Sequence, residues 1–299
     1  MSRAVGLSQK SKVASSSDRS FVSASSYSFE QLADIYNQTR IDYIVPMPMN
    51  SKRLADYVRF YDVDLDISTV VLNKSQSPIG LIMIGIRGDD AWITRLGVLP
   101  EQRGNGIGQD LMEISIDKLR EQSIHQIQLE VITGNEPAYR MFLKLGFEVN
   151  RELLVIRRPP KLIGTNLLPK DAVVSALDSE AIARCLKNRE AQIAWTEATA
   201  SLLNTQALNG IHLTLPSGEI GWLIYQLAAF EVTHVVLSPG ASQEMIRGLI
   251  YQLHKQHPMH DTKIENIPRE HEAWQEFQKL GYLEVFSRIE MFKALDSSR

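Results

Sequence analysis

"LGVLPEQRGNGIGQDLMEISIDKLREQ", Leu96–Gln122, is the stretch on which the reading of this chain turns. Gly104, Gly106 and Gly108 alternate between a Val-Leu-Pro run and an amphipathic segment. Glycine has no Cβ, so its backbone reaches positive φ and several N–H groups can converge on one anion. Beyond the glycines, Leu111, Met112, Ile116 and Leu119 recur at helical spacing, which sets the loop at the positive end of a helix dipole. A phosphate-bearing ligand is the expectation. Two phosphate motifs fail on spacing: Gln109 stands where a dinucleotide fingerprint has its third glycine, and the Gly-Lys-Ser/Thr of a Walker loop is absent.

Upstream, "FEQLADIYNQTR" sets Phe29, Leu32, Ile35 and Tyr36 at helical spacing, with Ser28 available as N-cap. "STVVLN" and "PIGLIMIGIRG" read as strands joined by the polar "KSQS", and "AWITRLGVL" as a third that Pro100 ends. Downstream come the helix of Leu111–Leu119, the strand "IQLEVI", a helix "EPAYRMFLKLG" ended by Gly146, and "FEVNRELLVIRR", which completes the sheet. The expected fold class is α/β, a mixed and largely antiparallel sheet flanked by helices, not a doubly wound parallel one.

Between Val98 and Gly108, "VLPEQRGNGIG" holds Arg103, Gly106 and Gly108 as Arg-x-x-Gly-x-Gly. Farther on, Asn135, Ala138, Phe142, Gly146 and Phe147 form Asn-x-x-Ala, an aromatic, and Gly-Phe. With these two motifs in this order, residues 28–158 resemble the GNAT superfamily of acetyl-CoA-dependent N-acyltransferases. The resemblance implies that Arg103, Gly104, Asn105, Gly106, Ile107 and Gly108 cradle the cofactor pyrophosphate and that Asn135 holds the pantetheine arm. It implies that the Val98 N–H donates to the thioester carbonyl while an amine attacks. It implies no metal, and a pantetheine slot between two splayed strands, the one before the loop and the one carrying "LEVI".

Two catalytic positions depart from the family. Relatives carry a Glu base near Trp92 and a Tyr acid at Phe142, and neither residue here titrates. Tyr139 is one substitute acid, though a tyrosine there packs on the sheet more often than it protonates a thiolate; Asp89 and Asp90 are proton relays or a solvated turn. Tyr43, Met47, Met49 and Tyr57 line an acceptor cleft or belong to the core.

"IRRPPK" marks a boundary, and a second copy follows it. "EAWQEFQKLGY", Glu272–Tyr282, repeats "PAYRMFLKLGF", Pro137–Phe147, at an offset of 135, and Met245, Ile246, Ile250 and Leu253 repeat the helix face at 134. The glycine loop is lost: "PGASQEM" keeps one glycine and no arginine, and Glu270 replaces Asn135. Residues 162–299 therefore read as a degenerate GNAT-like domain without cofactor. In "HKQHPMH", His254, His257 and His260 could suggest a metal site, but Pro258 breaks the helix within the set, and they read as structural imidazoles at a helix C-terminus, with no metal.

Residues 1–27 are serine-rich and read as a disordered tail, with an organellar transit peptide as the alternative of the same composition. With 299 residues, 44% hydrophobic, 22% charged and a net charge of −3, the chain is expected to be a two-domain protein with neither nucleic acid nor membrane as partner. A single cysteine, Cys185, fits a cytoplasmic setting. Two functions compete: an acetyl-CoA-dependent N-acetyltransferase acting on a small-molecule amine, or an acyl-CoA-binding or interaction module with lapsed catalysis. A protein N-acetyltransferase is the further alternative.

Overall fold

The computed structural model describes residues 19–164, 166–189, 193–205 and 207–295. They form two compact units. The first takes the described residues up to Ala55, then Asp64–Ile84 and Ile93–Gln122; the second takes Asp56–Val63, Gly85–Trp92 and the described residues from Ser123 onward.

The first unit is built from β1 (Ser20–Ser23), α1 (Phe29–Gln38), the first turns of α2 (Ser51–Phe60), most of β2 (Val63–Leu72), β3 (Pro78–Arg87) and β4 (Asp90–Val98), and α3 (Ile107–Glu121). Its strands lie in the order β1-β2-β3-β4. The serine-rich segment read as a tail divides here. Residues 1–18 lie outside the described residues, whereas Ser20–Ser23 pairs antiparallel with β2, Ser20 opposite Leu72 and Ser23 opposite Thr69. Phe21 and Val22 give that short strand its apolar content, which the surrounding serines mask in composition. α1 begins with a reciprocal capping box between Ser28 and Gln31 and buries Leu32, Ile35 and Tyr36; Phe29, expected on that face, stays outside it. On α3 the four expected residues Leu111, Met112, Ile116 and Leu119 are all buried.

The second unit adds β5 (Gln126–Ile132), α4 (Glu136–Lys144), β6 (Glu148–Arg158), β7 (Val173–Leu177), α5 (Ser179–Lys187), α6 (Thr199–Thr205), β8 (Leu208–Thr214) and β9 (Ile220–Leu227). It continues with β10 (Glu231–Leu237), α7 (Gln243–Gln256), β11 (Asp261–Pro268), α8 (Ala273–Lys279) and β12 (Leu283–Ala294). These strands lie in the order β5-β12-β6-β11-β10-β9-β8-β7. Only β10 and β11 run parallel; every other neighbouring pair in that order is antiparallel. The fold class is thus mixed α/β with a mostly antiparallel sheet. α7 packs Met245, Ile246, Leu249, Ile250 and Leu253 into a core shared with Phe277 and Tyr282.

The last strands do not lie where chain order puts them. β6, read as the strand completing the sheet begun by β5, pairs instead with β12 and β11, and β12 takes the place beside β5. Sequence pattern could not show this, because both strands are apolar enough for either place: Leu153–Ile156 of β6 and Met291 of β12 are all fully buried. A buried charge fixes the register. Glu290 of β12 sits opposite Arg151 of β6 and receives hydrogen bonds from the Arg151 guanidinium and the Asn150 amide, each at 2.7 Å. The Glu290 side chain is 1% exposed and that of Arg151 25%.

Removing Arg151 leaves that carboxylate buried with half its partners. Arg151→Ala is expected to lower stability by about 3 kcal/mol, the lower end for a broken buried pair because the arginine is a quarter exposed. The double variant Arg151→Met/Glu290→Leu is expected to recover most of it. Urea denaturation of both variants checks this.

Candidate active site

β4 ends at Val98, a single turn of 3-10 helix covers Pro100–Gln102, and the glycine loop then delivers the chain into α3. Gly104 and Gly106 have φ of 78° and 80°, the left-handed region that a side chain would strain. Gly106 is also the N-cap of α3, and with no side chain it caps nothing. The contrast with other helices is informative: Ser28, Asn135, Asp178 and Ser242 each cap their helix by accepting from the N3 backbone. A bare N-terminus leaves oriented N–H groups and the positive dipole end to be satisfied from outside.

Two arginines hold this loop. Arg19, beside β1, donates to the Asn105 carbonyl at 2.6 Å and pairs with Asp110 in the first turn of α3. Arg103 donates to both carboxylate oxygens of Asp42 at 2.7 and 2.8 Å, to the Thr39 carbonyl at 3.0 Å and to the Val98 carbonyl at 3.1 Å. Its hydrogen bond holds the Asp42 carboxyl below its usual range. The Arg103 side chain is thus engaged with protein groups, and the donors left for an anion are main-chain ones. Gly97 serves the same neighbourhood: a Cβ there would stand 2.3 Å from Thr39 Oγ1, so the end of α1 approaches β4 only over a glycine.

The corresponding helix of the second copy, α7, is closed. Ser242 caps it through Met245, and the Glu219 carboxylate accepts from the Ser242 N–H at 2.9 Å and its hydroxyl at 2.7 Å. A resident carboxylate therefore meets the N-terminus of α7 from within the chain.

In the second unit, the Asn135 side chain accepts from Ala138 N–H as the cap of α4. Phe142 is buried against Phe147 with ring centroids 5.9 Å apart, so the position where relatives place a tyrosine belongs to the core. Asp89 forms an exposed pair with His125 at 2.9 Å, whose hydrogen bond lowers its pKa; burial and the Asp89 charge raise that of Asp90.

The chemistry missed from sequence is Glu130 on β5. Its Oε2 accepts from Trp92 Nε1 at 2.7 Å, while Oε1 is buried with no hydrogen-bond partner among the described residues. Burial pushes its carboxyl up to about 7, against the pull of the Trp92 hydrogen bond and Arg288 and with the help of Glu290 and Glu265. A carboxyl half-ionised near neutrality is suited to take up a proton. Trp92 stacks on Trp195 at 5.9 Å and 16°, and Trp195 lies under the Arg87 guanidinium at 4.3 Å and donates to the Tyr61 carbonyl. Within "IQLEVI", Glu130 alternates with buried Ile127, Leu129 and Val131 and so reads as solvent-facing. The available signal was the repeat, since the offset of 135 sets Glu265 at the same strand position. Glu265 has the opposite fate: burial raises it, but Arg288 and Lys263 outweigh burial and hold it well below the usual carboxylate range.

His254 is fully buried against the Tyr282 hydroxyl at 2.8 Å, and burial with Arg158 and His257 nearby lowers its pKa to about 3. His257 bonds the Tyr225 hydroxyl at 2.7 Å.

Residues 30–147 match the acetyltransferase (GNAT) family. A proposed ribosomal protein bS18-alanine N-acetyltransferase of Bacillus subtilis (strain 168) is 32% identical over 79 residues, 26% of this chain and 52% of that protein. A mycothiol acetyltransferase of Paenarthrobacter aurescens (strain TC1) is 40% identical over 52 residues, 17% of this chain and 16% of that one. The chain thus spans about half the length of the first relative and a sixth of the second. Two solved structures share the fold at 13% identity. A tandem GNAT protein from the clavulanic acid biosynthesis pathway has a TM-score of 0.68, over 94% of this chain and 100% of that one. A GCN5-related N-acetyltransferase from Sphaerobacter thermophilus has 0.66, over 92% and 95%. No helix among the described residues is long and apolar enough to cross a membrane.

Since the Trp92 hydrogen bond favours the ionised form of Glu130, Trp92→Phe is expected to raise the Glu130 pKa above about 7, read by carboxyl-carbon NMR titration.

Proposed function

Residues 30–147 are a domain of the GNAT acetyltransferase family, and from that premise we propose that the chain moves an acetyl group from acetyl-CoA to the amine of a small molecule. The observation that carries this reading is the uncapped start of α3 on left-handed Gly106 behind left-handed Gly104. Residues Arg103 to Gly108 hold the pyrophosphate through main-chain N–H groups and the helix dipole, and no metal is needed for that. Arg19 and Arg103 keep the loop in shape by their own bonds to it. The Val98 N–H is assigned to the thioester carbonyl and Asn135 to the pantetheine arm. Residues 28–158 are the catalytic copy and residues 162–299 the copy without cofactor. Such chemistry suits a cytoplasmic setting, where its thioester substrate is made.

Acetyl-CoA supplies the acyl group as a thioester. The amine nitrogen forms the new bond to the acyl carbon, the C–S bond breaks, and the proton lost by the amine goes to solvent. Trp92, near which the resemblance expects a base, holds the Glu130 carboxylate through its indole N–H. The departing thiolate takes a proton from solvent. A protein N-terminus is the second reading of the acceptor, favoured by the 32% identity to the Bacillus subtilis protein whose description names a ribosomal protein alanine.

Gly106→Val is expected to abolish coenzyme A binding in calorimetry while the fold, followed by circular dichroism, is retained; unchanged affinity in a folded variant would sink the proposal. Titration of the unaltered chain should give one equivalent of acetyl-CoA, because Glu219 occupies the second helix N-terminus. Arg103→Ala and Asp42→Ala should each weaken binding less than about tenfold, since that pair is exposed.

A further inference from the structure

β10 and β11 separate almost as soon as they pair. Their parallel register holds only at Glu231–Asp261 and Val232–Thr262, and both strands are irregular beyond it, β10 between Thr233 and Val236 and β11 between Ile264 and Ile267. β9 covers the far edge of β10 and β6 the far edge of β11, so the edges facing each other run on without a strand between them. The gap opens into a cavity of about 600 Å³ whose walls include Val235, Leu237, Ile264 and Phe277. It is large enough for a ligand of several residues.

The polar lining carries both signs, with carboxylates in excess: Glu197, Glu265, Glu270 and Glu272 stand against Arg151 and Arg189. Arg151 is paired with Glu290 and the nearby helix start is held by Glu219, so the balance favours a cationic end over a phosphorylated one. Glu197 is 8% exposed; its Oε1 meets His234 Nδ1 at 3.3 Å, and its Oε2 is buried with no hydrogen-bond partner among the described residues. Such an acceptor calls for a donor, and a charged one most of all. An occupant of a gap between two strand edges is best served by a backbone of its own, able to donate and accept on both sides.

We propose that the gap between β10 and β11 is a second binding site, which takes the free N-terminus of a short extended peptide, the terminal ammonium on Glu197 Oε2 and the backbone along the two strand edges. The site is independent of the acetyl transfer assigned above, because it uses none of the residues of the glycine loop.

The test is calorimetry on the full chain with the tetrapeptide Ala-Val-Leu-Ala, its N-acetylated form, hexylamine and coenzyme A as probes. The free peptide should bind with at least tenfold preference over the acetylated form and over hexylamine, and Glu197→Gln should erase the preference for the free terminus. Ala241→Trp, which fills the gap from its lining and leaves Glu197 in place, should abolish binding with the thermal transition retained. Gly106→Val should leave it unchanged. Equal binding of the acetylated peptide or of hexylamine would overturn the proposal. So would displacement by coenzyme A, or loss of binding in Gly106→Val but not in Ala241→Trp. Failure of the glycine-loop assignment would instead show in coenzyme A binding to Gly106→Val, with the peptide results untouched.

Discussion

The buried Glu290–Arg151 pair is the constraint on which the second unit depends. A carboxylate taken out of water is tolerated only in the register that supplies its donors, so β12 cannot slip along β5 and β6 without stranding it. That register also sets Arg288 on the same face as Glu290, two residues away. Arg288 pairs with Glu265 at 2.8 Å and donates to the Asn266 side chain at 3.0 Å. One strand thereby decides the fate of two carboxylates at equivalent repeat positions. Glu265 is locked as an ion, while Glu130, with Glu290 raising it and an indole as its hydrogen-bond donor, stays close to neutrality in its titration.

The two copies diverge in the same manner at their helix starts. The physical demand is identical, four N–H groups without intrahelical partners at a positive dipole end. α7 answers it internally with Ser242 and Glu219; α3 leaves it open on Gly106. An acidic side chain from the β8–β9 turn thus satisfies at α7 the same demand that α3 leaves open. The open helix in turn needs its loop held without side-chain capping, and Arg19 and Arg103 provide that by bonding to loop carbonyls and to acids beyond it.

Much of this was legible in the sequence. The helix face Leu111, Met112, Ile116 and Leu119 and its repeat at Met245, Ile246, Ile250 and Leu253 are buried as periodicity demands, since amphipathic spacing records which side of a helix meets the core. The strand partners were not legible, because a run such as Leu153–Ile156 states burial on both faces but not which neighbour supplies it. Glu130 was hidden for the complementary reason. Alternation assigns it to the polar face of β5, and only the indole of Trp92, 38 residues earlier, turns that face into an enclosed one. β1 was lost to composition, as four residues of strand cannot outweigh the serines around them.

The open seam between β10 and β11 costs the fold something to keep. His234 and Asn266 have φ of 51° and 61°, a left-handed conformation worth on the order of 1–3 kcal/mol of strain for a residue with a side chain, less for asparagine. Each is held there by bonds that a closed sheet would not need. Burial pulls the His234 pKa down, but the Glu197 carboxylate at 3.3 Å outweighs it and raises it. Asn266 donates to Thr196 at 2.7 Å and accepts from Arg288. Thr196 and Glu197 belong to one short turn, and Arg288 to β12, so the turn and the exchanged strand together wedge the two bulges apart. Both bulges are thus held from outside their own strands, on either side of the cavity between β10 and β11.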